Sequence, residues 1–142
     1  MRISAKAEYA CIAMVDLAAS HGEPQPVRIK AIADSHAIPQ RFLVQILLQL
    51  KGAGLVTSVR GASGGYQLAR PPHEISLADI INVIDRPPPP RAAVHASRSP
   101  AAQAVQTLWK ELQDQEKRTL EELTLANLVQ RIQQPSSLSY QI

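Results

Sequence analysis

Four consecutive prolines, residues 87–90, divide this 142-residue chain. A proline has no backbone N–H and its φ is fixed at about −65°, so such a run cannot enter a helix interior and favours extended polyproline II geometry. The prolines lie within RPPPPRAAVHASRSP, residues 86–100, a stretch with three arginines, one histidine and no acid. It reads as a linker. Before it, residues 1–85 are mixed in character and punctuated by glycine. After it, residues 101–134 read as helix, and a polar tail covers 135–142.

Bulk properties exclude several classes. Hydrophobic residues make up 45% of the chain, enough for a buried core. The N-terminal MRISAKAEYA lacks the apolar core of a signal peptide. No apolar run approaches the roughly 20 residues of a membrane span. A cytoplasmic protein with no membrane partner is expected. Cys11 is the one cysteine, so no intrachain disulfide can form. Net charge is +3, too little by itself to imply nucleic-acid binding. His21, His36, His73 and His95 are dispersed without an i, i+4 pair, and Ser63 lies in a hairpin rather than a strand-to-helix elbow. The chain is not expected to be an enzyme.

Before the linker, periodicity predicts a first helix over 4–19, with Ala7, Ala10, Cys11, Met14, Leu17 and Ala18 sharing a face. His21-Gly22 ends it. A short second helix is expected over 29–35. A third opens at Pro39, taken as a first-turn residue whose missing N–H costs nothing. It buries Leu43, Ile46, Leu47 and Leu50, and Gly52 and Gly54 stop it. Residues 55–59 and 66–69 read as strands around a tight loop 61–65, a β-hairpin with Arg60 at its base. Ser76 followed by Asp79 resembles a capping box, opening a fourth helix with Leu77, Ile80, Ile81 and Ile84 on its apolar face. The long helix after the linker carries Val105, Leu108, Trp109, Leu112, Leu120 and Leu123. Lys117–Glu121 and Arg118–Glu122 are i, i+4 pairs on its solvated side. A last short helix, capped by Thr124, carries Leu125, Leu128, Val129 and Ile132.

Three short helices followed by a glycine-rich hairpin is the order of a winged helix-turn-helix. The expected fold class is mainly α with a small β-hairpin wing, extended by a long C-terminal dimerisation helix. In such a motif the second helix braces the third, whose N-terminal side chains reach base edges in a major groove about 12 Å wide. The third helix has an outward face of Gln40, Arg41, Val44, Gln45, Leu48 and Gln49. Gln pairs bidentately with adenine, and Arg with guanine or a phosphate, although such a face also suits an ordinary solvated helix. The hairpin is more specific. Arg60-Gly61-Ala62-Ser63-Gly64-Gly65-Tyr66 sets a cation beside three glycines, which permit close backbone approach to a ligand. An arginine on a wing enters a narrow minor groove, where the potential is most negative. A nucleotide-binding loop would need G-x-x-x-x-G-K-[ST], or G-x-G-x-x-G opening a helix, and neither occurs.

The segments MRISAKAEYA, IPQRFLVQIL, GLVTSVRGASGGYQLAR and ISLADIINVID closely resemble the Rrf2 family of bacterial transcriptional regulators, and the resemblance continues through LWKEL (108–112) and LTLANLV (123–129). Its most specific part is the wing, GLV-x-S-x-RG-x-x-GGY. The resemblance implies a homodimer, paired through Val105, Leu108, Trp109, Leu112, Leu120 and Leu123, that binds a palindromic double-stranded DNA operator. It implies that Gln40, Arg41 and Gln45, on a helix opened by Pro39, face the major groove. Arg60, Gly61, Ala62, Ser63, Gly64, Gly65 and Tyr66 form the wing. Ser4, Lys6, Tyr9 and Arg28 lie near backbone phosphates.

The chain departs from the family pattern in two places. Val44 stands where some relatives carry a Glu that discriminates between classes of site, so their site preference does not transfer. Residues 86–107 also lack the three cysteines with which many relatives hold an iron–sulfur cluster. Such clusters are held mainly by Cys sulfur, so no cofactor is expected. Glu8, whose position some relatives use as a cluster ligand, and His95 remain as weak metal candidates. Cys11, on an apolar stripe, reads as a structural thiol. The expected function is a sequence-specific DNA-binding regulator without a cluster in this chain, answering to an unidentified small-molecule or protein effector. A winged-helix protein-interaction module and an atypical metal- or cluster-dependent redox sensor are the alternatives.

Overall fold

The computed structural model describes residues 2–86 and 98–134. The elements are α1 (Ala5–Ala19), α2 (Ile29–His36), α3 (Gln40–Gly52), β1 (Val56–Val59), β2 (Gly65–Leu68), a 3-10 turn (Pro72–Glu74), α4 (Leu77–Ile84), α5 (Pro100–Glu122) and α6 (Leu125–Ile132). This is the mainly α, winged architecture expected from the sequence. One landmark moves. Pro39 caps α3 from outside instead of occupying its first turn: its ψ of 127° is non-helical, while its carbonyl accepts from the Phe42 and Leu43 N–H groups.

Helix α1 packs against α3, α4 and α6. Its buried stripe is Ala7, Ala10, Ala13, Met14, Leu17 and Ala18; Ala13 belongs to it, and Cys11 sits half-buried at its margin. Helix α3 supplies Leu43, Ile46, Leu47 and Leu50, each fully buried. Ile32, Ile75, Ile80 and Leu125 complete the centre. Between α2 and α3 the turn is only three residues long. Ala37 adopts a left-handed conformation (φ 54°), which costs a non-glycine residue roughly 1 kcal/mol. Ile38 then plugs into the core, and its N–H reaches the Ala33 carbonyl at 3.1 Å. That plug fixes the angle at which α3 leaves the body.

The two strands pair antiparallel, with Val56 opposite Leu68 and Val59 opposite Gly65. Further on, two capping boxes lie side by side. Ser76 accepts from the Asp79 N–H and Thr124 from the Asn127 N–H, each reciprocated by the partner side chain. Ser76 and Thr124 form a β-bridge. The Leu77 N–H donates to the Leu123 carbonyl (2.8 Å), and the Leu125 N–H to the Ile75 carbonyl (2.9 Å). Helix α6 is thereby returned to the body.

Helix α5 differs from the others: no residue of it is buried. Ser99 caps its start and Pro100 takes its first turn. The Lys117–Glu121 and Arg118–Glu122 pairs do not form. Among the described residues the ion pairs are Lys30–Asp34 and His36–Asp16. Exposed pairs gain little over full solvation. Also among the described residues, no helix is long and apolar enough to cross a membrane.

Candidate nucleic-acid interface

The wing is held by backbone contacts rather than by side-chain bulk. Val27, just before α2, exchanges two hydrogen bonds with Tyr66 (2.9 and 2.7 Å). This extends the hairpin by one bridge and ties it to the start of α2. The approach is so close that a Cβ at Gly65 would lie 2.3 Å from the Val27 carbonyl oxygen, and one at Gly64 would lie 2.2 Å from the Val59 carbonyl oxygen. The glycines therefore serve the hairpin's own closure. Arg28 reaches across and donates to the Ala62 carbonyl in the loop. Arg28, Ser58, Arg60, Gly61 and Gly64 line one groove between α2 and the wing. Arg60, Gly61, Ala62 and Ser63 are exposed around it, while Tyr66 is half-buried.

Helix α3 presents Gln40, Arg41, Val44, Gln45, Leu48 and Gln49 to solvent, as its periodicity predicts. Phe42 is exposed as well; its ring centroid lies 6.3 Å from that of Tyr9 on α1. The Arg41 guanidinium stands 5.1 Å above the same Phe42 ring, a cation–π contact that restrains its reach. Lys6 and Tyr9 are half-buried on α1. Ser4 is committed locally. Its hydroxyl accepts from the Ala7 N–H (3.0 Å) and donates to Asp85 (2.6 Å), and its own N–H meets the other Asp85 oxygen (3.1 Å).

A charge signal strengthens this face. From Ser35 to His73 the sequence contains no Asp or Glu, yet it carries Arg41, Lys51, Arg60 and Arg70. The stretch spans all of α3 and the wing. The overall charge of +3 hides it, because α5 carries five acids against three cations. Counting charge per element finds it.

The donor set does not suit an iron–sulfur cluster. The chain has one thiol, and among the described residues no three His, Cys, Asp or Glu side chains are grouped as for a metal ion. Glu8 is exposed, and His95 lies outside the described residues. Burial pushes the Cys11 thiol up to about 11, helped by the negative charges of Glu8 and Asp85. Thiolate, the reactive form, is correspondingly scarce. Raising the thiol from 9.0 to about 11 lowers its thiolate fraction about a hundredfold near neutral pH. Native protein at pH 7.5 is expected to react with iodoacetamide about tenfold or more slower than the urea-unfolded chain, because the greater nucleophilicity of the rarer thiolate offsets part of its scarcity. Equal rates would mean that Cys11 is not shielded.

Of the six apolar residues expected at a subunit contact, four stand free. Val105, Leu108, Trp109 and Leu112 are each about half exposed (47–50%). Leu120 and Leu123 are half-buried at the end of α5, where the Leu123 carbonyl accepts from Leu77.

A three-residue turn, a projecting third helix and a two-stranded wing with Arg60 at its loop define a winged helix-turn-helix protein, an architecture built to dock on DNA. Comparison with known proteins agrees. The chain belongs to the Rrf2 family, described as iron-dependent transcriptional regulators, which its residues 3–131 match. It is 38% identical over 128 residues to the HTH-type transcriptional regulator CymR of Bacillus subtilis (strain 168), covering 90% of this chain and 89% of that protein. The solved structure of CymR, the global cysteine regulator of B. subtilis, superposes with a TM-score of 0.83 at 37% identity, covering 92% of this chain and 98% of that one. T. potens IscR gives a TM-score of 0.75 at 34% identity, covering 93% and 88%.

Proposed function

We propose that this chain binds a palindromic DNA operator as a homodimer and reads it without an iron–sulfur cluster of its own. The observation that carries this reading is the acid-free stretch from Ser35 to His73, which places exposed Arg41 and Arg60 on α3 and the wing. Residues 1–85 do the reading. Gln40, Arg41 and Gln45 enter the major groove, and Arg60 with the loop 61–65 enters the adjacent minor groove. Lys6 and Tyr9 lie toward the phosphates. Arg28 acts through the wing, by holding the Ala62 carbonyl, and Ser4 acts by capping α1. Helix α5 pairs with its copy, which sets two half-sites one DNA turn apart, roughly 34–36 Å. Residues 86–100 are the position for an effector, a small molecule or a protein.

Arg60→Ala tests the wing. Arg60 is exposed, so thermal unfolding is expected to be unchanged. Specific operator affinity is expected to fall about ten- to hundredfold, with the salt slope reduced by about one per half-site. An Arg60→Ala chain that binds as tightly as its parent at every salt concentration would remove the wing from the interface.

A further inference from the structure

On the reading that α3 enters a major groove, we propose that Val44 and Leu48 recognise thymine methyl groups, so that the operator is selected for A·T pairs beneath α3. Both side chains stand in solvent, at 38% and 56% exposure, on a face that is otherwise amide and guanidinium. Neither packs against the core cluster. Apolar side chains there gain nothing from water; Phe42, the other exposed apolar residue of α3, is engaged by Tyr9 and Arg41, and the two that remain among polar neighbours are too few for a protein-docking patch. In a major groove they have one apolar partner, the thymine C5-methyl group.

The spacing fits. Residues four apart lie about 6 Å apart along a helix axis, close to two base-pair steps of about 3.4 Å each. The rest of the face is complementary. Gln40, Gln45 and Gln49 offer the bidentate amide that suits adenine, so amides and methyl contacts together read both members of an A·T pair. No carboxylate is present on α3 to accept from a cytosine amino group. The cation of its first turns, Arg41, is drawn over the Phe42 ring, and the other, Lys51, lies at the far C-terminal end of the helix.

The test begins by recovering preferred sequences from a pool of random duplexes with the full-length protein. Each thymine of one half-site is then replaced in turn by deoxyuridine, which removes the methyl group and leaves the hydrogen-bonding edge unchanged. Affinities are compared at one salt concentration. One or two positions are expected to lose about fourfold each, the worth of one buried methyl. That loss should vanish in Val44→Ala or Leu48→Ala, because the coupling belongs to the pair of groups in contact. Thermal unfolding of both variants checks that the exposed substitutions leave the fold intact. Deoxyuridine tolerated everywhere would overturn the proposal while leaving DNA reading in place. A penalty that persists in both alanine variants would do the same. If no sequence is enriched from the pool, DNA reading by α3 fails, and this inference with it.

Discussion

A chain carrying Leu108→Asp and Trp109→Asp together will sediment as a folded monomer and bind its operator about 10²- to 10⁴-fold more weakly than the parent, the range lost when two linked sites must act singly. Val105, Leu108, Trp109 and Leu112 recur at i, i+3, i+4 and i+7, the spacing of a helix face meant for burial, yet each is about half exposed. Helix α5 buries no residue over its 23 positions. Helical stability in proteins comes mostly from packing of such a face, so this one needs an occupant. Two aspartates placed there must be desolvated if it is covered, and cost little if it is not. The body is spared, because α1, α3 and α6 pack without these four residues. Analytical ultracentrifugation and operator titration read the two effects. A double variant that remains dimeric with parental affinity removes this face from the interface.

Gly65→Ala is expected to destabilise the fold by about 1–3 kcal/mol, the range for overpacking a close contact, and to lower operator affinity more than Arg60→Ala does. The added Cβ would sit 2.3 Å from the Val27 carbonyl oxygen and 2.6 Å from its carbon. Both are backbone atoms with no rotamer to give way, so the Val27–Tyr66 bridge must part. The wing then loses its tie to α2, and Arg28 loses its line to Ala62. Gly52→Ala is the control. A Cβ there meets nothing within 4 Å, and it ends a helix, so stability should hold or rise by about 0.4–1 kcal/mol. Chemical denaturation of the two variants separates them. Similar midpoints would mean that the hairpin reseats without cost.

What the sequence revealed, and what it hid, follows the range of the interactions. The capping box of Ser76 and Asp79 was legible because both partners lie within one turn, and the burial of Leu43, Ile46, Leu47 and Leu50 because helical spacing alone dictates it. The wing was legible from its glycines. Their reason was not: the close approach at Gly65 is to Val27, 38 positions earlier. Ser4 has Asp85 as its partner, 81 positions away, and no local pattern announces that. Ala37 carries a left-handed backbone without being glycine, so no residue type marked it. Leu120 and Leu123 share the periodicity of the free α5 face, yet they lie where the chain turns back onto α4. The acid-free run across α3 and the wing was present in the sequence but cancelled by α5 in the net charge.

The stitching of residues 75–77 to 123–125 has a consequence on a longer timescale. None of those bridges involves a residue from 86 to 122, so α4 and α6 are locked together by contacts of their own. A lineage built on this plan can change the length and composition of the sequence between α4 and α6 and still inherit the same backbone lock between them.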